Sequence, residues 1–587
     1  MATDSEPHTQ QPPSPTSHMS QSDPVSPPPP YRHTDTSSSR FSDTNGIHPP
    51  PYPTSYTIGT TRLDAPLVDV GQLKAHLALL RAFKALKVKV DERSTEELPA
   101  VVNELDKEKR WAWFVGLAVE RFQRWLESEP LEPDLRKWVI ECIPPIDVLM
   151  VWHSYTLNPS WYAEDCQRLK VLRPLRDLRD KLLAAIVDIG DIGSHQPTEE
   201  RKRKWTEQTG TSFDPFDAIP HLTNRTVQCP TCEKRVSTPF VNKQGSGYAQ
   251  FVFNIQCECG QSITKEVLGA AKFAQDMARD HKNPNTLETH GSGVYLAGTL
   301  YSPTGFDDVA AGRIKDTLRT HDAFRSASPD EQTAQDEIMK ATGGSMSFIK
   351  TVALSKMKVS GERRVARIMG AYTDDRPFSI DLVGAVVRQG SFIGKMYDFG
   401  WTEPGYFDTP EDEVVLLHAI ARYHAFLDLM KASPASFFVP TLDIDLVWHT
   451  HQMMGYVYGF HCKTYILRYI DQYVEFLGAF NLSSHVWLLA TIKSKKATFR
   501  PALISLAAPG SNALELHTRI VVVPFLEIPS VNVSTASLDA FPVLDQWNHF
   551  NHQIVRTHYK RPTLATTIVS KATLHFPKPP VNSVLRK

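Results

Sequence analysis

The chain has 587 residues, 41% of them hydrophobic, enough for two or three domains that each bury a core. Its net charge of −1 excludes a global attraction to nucleic acid or anionic lipid, and its seven cysteines are too few for a disulfide framework, which favours a reducing compartment. No apolar run approaches the roughly 18 residues needed to span a bilayer, and none follows Met1 as a secretory signal would require, so a cytoplasmic protein is expected, with the nucleus as the alternative.

Residues 1–62 are rich in Pro, Ser, Thr and His and poor in aliphatic side chains, so they read as a disordered arm. Within the arm stand two PPxY tetrapeptides, Pro28-Pro29-Pro30-Tyr31 and Pro49-Pro50-Pro51-Tyr52. A polyproline segment followed by Tyr is the ligand type that WW domains take into aromatic grooves, and two copies add avidity. WW-domain proteins such as ubiquitin-ligase adaptors are therefore the expected partners.

Residues 63–195 read as a helical unit. Leu73, Leu77 and Leu80, with Leu79, Phe83 and Leu86, recur at helical spacing, as do Phe114, Leu117, Ala118, Phe122 and Trp125. There follows Pro145-Ile-Asp147-Val-Leu-Met-Val-Trp152-His153, then Tyr162 and Cys166.

Residues 196–345 read as an insertion. Thr198 before Glu199 and Glu200 predicts a helix start, leading into the basic run Arg201-Lys-Arg-Lys204, which is more often a solvated helix face than a nuclear-import or nucleic-acid patch. Cys229-Pro-Thr-Cys232 and Cys257-Glu-Cys259 are separated by Tyr248, Phe251, Val252, Phe253 and Ile255 around a Gly245-Ser-Gly247 turn, which reads as a β-hairpin joining two cysteine knuckles. Four such thiolates form a closed structural zinc site. Beyond it, Val267–His281 predicts a helix, His290–Tyr301 a strand region, and Asp308–Lys340 mostly polar helix.

Residues 346–490 read as a second helical unit. Leu416, Ala419, Ile420, Tyr423, Phe426 and Leu427 form its stripe, and Asp443, Trp448, His449, Tyr458 and Cys462 each stand 296 residues after Asp147, Trp152, His153, Tyr162 and Cys166. Five matches in one register predict two copies of one unit. Arg422 stands 301 residues after Arg121, so a length change falls in the loop between helix and motif. The shared set is read first as structural, with Asp capping the helix, Trp in the core and His bonding a neighbour; a metal site at Asp445, His449 and His451, or a thiol-imidazole pair, are the alternatives. On a helix Asp445 and His449 share a face, while His451 lies about 200° away from His449.

The segment Val439-Pro-Thr-Leu-Asp443-Ile-Asp445-Leu-Val-Trp448-His449-Thr-His451-Gln resembles the signature of the glycine-rich domain-containing protein family, known from plants, fungi and some bacteria. The resemblance runs from about Leu67 to Tyr473 and implies a domain rather than a reaction. Plant relatives add a glycine-rich tail and sometimes an RNA-recognition module; here the 29 glycines are scattered and no such module is legible, so an RNA role is disfavoured, nucleic-acid binding is the least favoured function, and the resemblance is read as of fungal type.

Residues 491–587 form a basic tail of undefined fold: from Lys493 onward it holds twelve Lys or Arg against four Asp or Glu. The expected architecture is mainly α, two related helical units flanking a small zinc-stapled α/β insertion. The expected function is a non-enzymatic interaction or scaffold protein; a metal-dependent, oxygenase-like enzyme using Asp445, His449 and His451 is the alternative.

Overall fold

The computed structural model describes residues 55–471, apart from 95, 129–131, 133, 179–180, 303, 358–360 and 435, together with Pro53 and the strand Val521–Val523. Both PPxY tetrapeptides and most of the basic tail lie outside the described residues.

Helix α1, Val70–Asp91, begins on a reciprocal capping box: the Asp69 carboxylate accepts from the Gln72 N–H, and the Gln72 side chain accepts from the Asp69 N–H. All six apolar residues of its predicted stripe are buried. Two further helix series lie against it. The first is α2, Lys107–Glu127, then α3, Ile146–Thr156, and α4, Pro159–Arg168. The second comes after α5, Lys265–Ala278, and α6, Leu382–Asp398, and comprises α7, Pro410–Ala432, α8, Leu442–Gln452, and α9, Gly455–His461. Helix α1 packs against α2, α3, α6, α7 and α8, so the chain is mainly helical around one central helix.

The apolar side chains divide between two cores. The larger gathers Phe83, Trp125, Trp152, Phe426 and Trp448 with Cys229 and Cys257. The smaller holds Phe273, Leu318, Ile338, Ile349, Ile368 and Tyr372, built on α5 and on the polar helices Asp308–Arg319 and Glu331–Thr342. Between the two cores the Lys272 ammonium donates to the carbonyls of Ala371, Arg376 and Phe378 at 3.0, 2.8 and 2.9 Å.

The strands correct three expectations. Tyr56–Ile58 pairs antiparallel with Thr61–Leu63 and packs on α7 with Ile58 fully buried, so the ordered chain begins inside the stretch read as a disordered arm. The hairpin does not lie between the cysteine pairs. Strands β1, Asn224–Gln228, and β2, Arg235–Pro239, pair around Cys229–Cys232, and β3, Asn254–Gln256, and β4, Ser262–Thr264, pair around Cys257–Cys259, so each knuckle is itself a hairpin turn. The stretch between β2 and β3 is instead a loop fixed by side chains: Gln250 Oε1 accepts from the N–H of Asn242 and Gly247, and Asn242 Oδ1 accepts from the Ser246 N–H. Residues 290–301 likewise do not form an extended strand: Gly291 and Gly298 adopt φ of +57° and +82°, and the Glu164 carboxylate takes the N–H groups of Gly298, Thr299 and Leu300 that a partner strand would need. Strand β5, Phe437–Val439, pairs antiparallel with β6, Val521–Val523.

The basic run is consumed internally. Thr198 caps Glu199–Thr209 as expected, but Arg201 is buried, donating to the carbonyls of Ile143 and Cys142 at 2.9 and 3.1 Å. Burial pulls its guanidinium down to about 10. Lys202, Arg203 and Lys204 pair with Glu199, Glu207 and Glu141. Arg201→Met is expected to cost about 2–4 kcal/mol by urea unfolding, because two buried carbonyls lose their donor, whereas Arg203→Ala changes stability by less than about 0.5 kcal/mol.

Candidate functional site

The Trp-His segments sit at the start of matching structural paths. In the first series Arg121 reaches from α2 to Asp147 on α3, Nε to Oδ2 at 2.7 Å, with both side chains about 1% exposed. In the second Arg422 reaches from α7 to Asp443 on α8 at 3.1 Å. Neither Asp caps its helix, contrary to expectation: Pro145 and Thr441 hold the N-cap positions without a side-chain cap bond. A guanidinium one helix away claims the carboxylate instead, and its charge opposes the rise in the Asp147 carboxyl that burial causes.

One turn further on, Trp152 Nε1 donates to Tyr162 Oη at 3.1 Å, and that hydroxyl donates to the Leu175 carbonyl at 3.4 Å. Trp448 Nε1 donates to Tyr458 Oη at 3.0 Å, which donates to the Ile470 carbonyl at 2.7 Å. Cys166 and Cys462 lie buried beside these tyrosines, and burial pushes the Cys462 thiol up to about 12, which leaves it a poor nucleophile.

The polar residues that follow diverge. In the first series Tyr155 donates to Asp165, which also accepts from the N–H and hydroxyl of Ser379. At the positions 296 residues on, His451 Nε2 meets His461 Nδ1 at 2.8 Å, while His451 Nδ1 meets Tyr423 Oη at 2.8 Å. Beside them Leu67, Tyr423, His451, His461 and Cys462 line a slot too tight to admit a water molecule. His449 points elsewhere, its Nε2 3.3 Å from Asp445 Oδ1 and its ring against Phe392. Asp445, His449 and His451 are thus not brought together, as their helical spacing foreshadowed.

His76, which carries no motif, links the two motif helices. The Thr450 hydroxyl donates to the Leu446 carbonyl at 2.7 Å, so its oxygen accepts from His76 Nδ1 at 2.8 Å. His76 Nε2 must then accept from His153 Nε2–H at 2.9 Å, which leaves His153 Nδ1 as a lone pair, buried without a partner among the described residues. Burial lowers all three imidazoles, those of His153 and His449 to about 3, so the cluster is neutral. A lone His on an apolar stripe gives no signal in the sequence for this bridge.

Among the described residues the four cysteines alone form a group of three or more His, Cys, Asp or Glu close enough to hold a metal, their sulfurs all within 4.8 Å of one another. Cys229 and Cys259 are 3.7 Å apart and Cys232 and Cys257 3.5 Å. The N–H groups of Lys234 and Gln261 point at Cys232 and Cys259 sulfur, and the knuckle backbones turn through Glu233 at φ +61° and Gly260 at φ +90°. Such amide donors stabilise thiolate charge.

Residues 317–460, which include α6, α7, α8 and most of α9, match the family described as glycine-rich domain-containing protein-like. Glycine-rich domain-containing protein 2 of Arabidopsis thaliana is 44% identical over 82 residues, 13% of this chain and 9% of that protein. Glycine-rich domain-containing protein 1 of the same plant is 40% identical over 77 residues, 12% of this chain and 8% of that protein. The chain therefore spans less than a tenth of the length of these relatives. No solved structure matches it. Among the described residues no helix is long and apolar enough to cross a membrane.

Two outcomes test this geometry. His76→Leu leaves the His153 Nε2–H without an acceptor and is expected to cost about 1–3 kcal/mol in urea unfolding. The histidines also set a pH dependence: unfolded imidazoles bind protons below about 6.5, whereas folded His153 and His449 do so only near 3. The stability they contribute is present above pH 6.5 and is lost as pH falls toward 3. Burial also raises the Asp445 carboxyl to about 7, and its protonation in the same window acts with the opposite sign, so the test uses Asp445→Asn: its urea midpoint is expected to drop between pH 7.5 and 5.5, and a constant midpoint there would contradict the neutral cluster.

Proposed function

We propose that the chain is a non-enzymatic interaction protein, in which a helical body stapled by one zinc ion carries an arm whose PPxY tetrapeptides recruit WW-domain proteins such as ubiquitin-ligase adaptors. The observation that carries this reading is the fate of the Trp-His motifs. In both series the Asp, Trp and Tyr polar groups are engaged inside the core, and His153 and His449 are 1% and 3% exposed, which leaves no convergent, open set of side chains for a substrate. The oxygenase-like alternative lacks support, since His451 is turned to Tyr423 and His461 rather than toward Asp445 and His449.

Zinc is the metal that the donor set favours. Four thiolates at a Zn–S distance of about 2.3 Å form a tetrahedron with edges of about 3.8 Å, near the two sulfur separations of 3.7 and 3.5 Å. Four protein ligands fill the coordination sphere, so the ion holds the hairpins together and leaves no position for a reactant. The matched Arg–Asp and Trp–Tyr–carbonyl paths support descent of the two units from one, in a fungal-type arrangement. The reading places the protein in the cytoplasm, with nuclear entry through the basic run disfavoured because those four bases are already paired.

Elemental analysis of the full chain is expected to find one zinc, absent from Cys229→Ser and retained in His449→Ala and Asp445→Asn. A second metal lost from the latter two would overturn the reading in favour of the enzyme. Binding of an isolated WW domain is expected to be lost in the Tyr31→Ala, Tyr52→Ala double variant with the thermal unfolding of the body unchanged; binding that survives both substitutions would remove the arm from the proposal.

A further inference from the structure

The four sulfurs are not equivalent to a reagent in water. Cys229 is fully buried, Cys257 is 5% exposed and Cys232 is partly buried, whereas Cys259 is exposed. The cause is local: Cys259 closes a CxC turn whose short span, ended by Gly260 at positive φ, places it on the outer side of β3–β4, while Cys229 and Cys257 join the larger core. At the surface the two hairpins are also linked by Thr231 with Gln261 at 3.0 Å and Lys234 with Glu258 at 2.8 Å.

We propose that Cys259 is an oxidation site for hydrogen peroxide, and that its oxidation ejects the metal and joins the knuckles through a Cys229–Cys259 disulfide. The inference rests on the zinc reading above. The Cys259 thiolate attacks one peroxide oxygen; the O–O bond breaks, sulfur is oxidised to the sulfenic acid, and the leaving oxygen departs as water after taking a proton. The Cys229 thiolate, 3.7 Å away, then attacks the sulfenic sulfur; the S–S bond forms, the S–O bond breaks, and a second water leaves with a second proton. The two thiolates supply the two electrons that reduce the peroxide, and Zn²⁺ leaves unreduced. The sulfurs need to approach by less than about 2 Å to reach bonding distance. Cys229 is preferred over Cys257 because a bond within the CxC turn would close a small, strained ring.

The test uses the purified, zinc-loaded full chain exposed to hydrogen peroxide, with released zinc read by a chromogenic chelator and sulfur states by mass spectrometry after sulfenic-acid trapping. One zinc per chain is expected to be released, with the first adduct on Cys259 and a later disulfide to Cys229. Cys259→Ser is expected to slow release at least tenfold; if that variant carries no zinc, the order of trapping in the natural sequence decides. Absence of zinc before treatment would defeat the zinc reading itself. Zinc that is present yet retained under excess peroxide, or first oxidation at Cys232, would overturn this inference and leave that reading standing.

Discussion

The imidazole of His76 ties the two halves of the helical body together. It sits on the central helix, accepts from His153 of the first motif and donates to Thr450 of the second, and no water competes with either bond because all three side chains are buried. The arrangement holds only while the rings are neutral, since a proton placed on any of them would be a buried charge without a carboxylate against it, save at His449 beside Asp445. The ion pairs Arg121–Asp147 and Arg422–Asp443 set the angle at which each motif helix meets its neighbour. Desolvating such pairs offsets much of their attraction, so they fix geometry more than they add stability. The stabilisation comes from the apolar surface around them, above all Trp125, Trp152, Phe426 and Trp448.

The cysteine hairpins follow a different logic. Their strands are three to five residues long, below what pairs stably in water without support. They persist because their apolar faces join the larger core and because a buried ion cluster fastens them from the side: Arg225 meets Glu120 on α2 and Asp375, and Tyr248 donates to Asp375 at 2.6 Å. A metal bound by the four thiolates would add its binding free energy directly to the folding of this region. The element is thus welded to the helical body and does not stand as a separate module.

What was readable in advance was readable for reasons of spacing. The stripes of α1, α2 and α7 are buried residue for residue, since a 3.6-residue period leaves one solution for an apolar face. Thr198 caps its helix as its chemistry dictates, and the proximity of Cys229, Cys232, Cys257 and Cys259 follows from two short spacings. The misreadings share one cause, which is that a local pattern was given a partner that the fold spends elsewhere. The aromatic run before Cys257 became a side-chain-tied loop, Gly298, Thr299 and Leu300 gave their N–H groups to Glu164, and Asp147 and Asp443 paired with arginines of a neighbouring helix without taking the N-cap positions.

By itself, then, the sequence determined the helical class, the positions of the long amphipathic helices and the clustering of the four cysteines, because each is a property of residues close together in the chain. Only the tertiary structure decided which histidine bridges the motifs, that His451 turns to Tyr423 and His461 while His449 turns to Asp445, and which cysteine faces water. Those outcomes depend on pairs separated by tens to hundreds of residues, and on the burial that makes an unpartnered polar group expensive, neither of which a local pattern encodes.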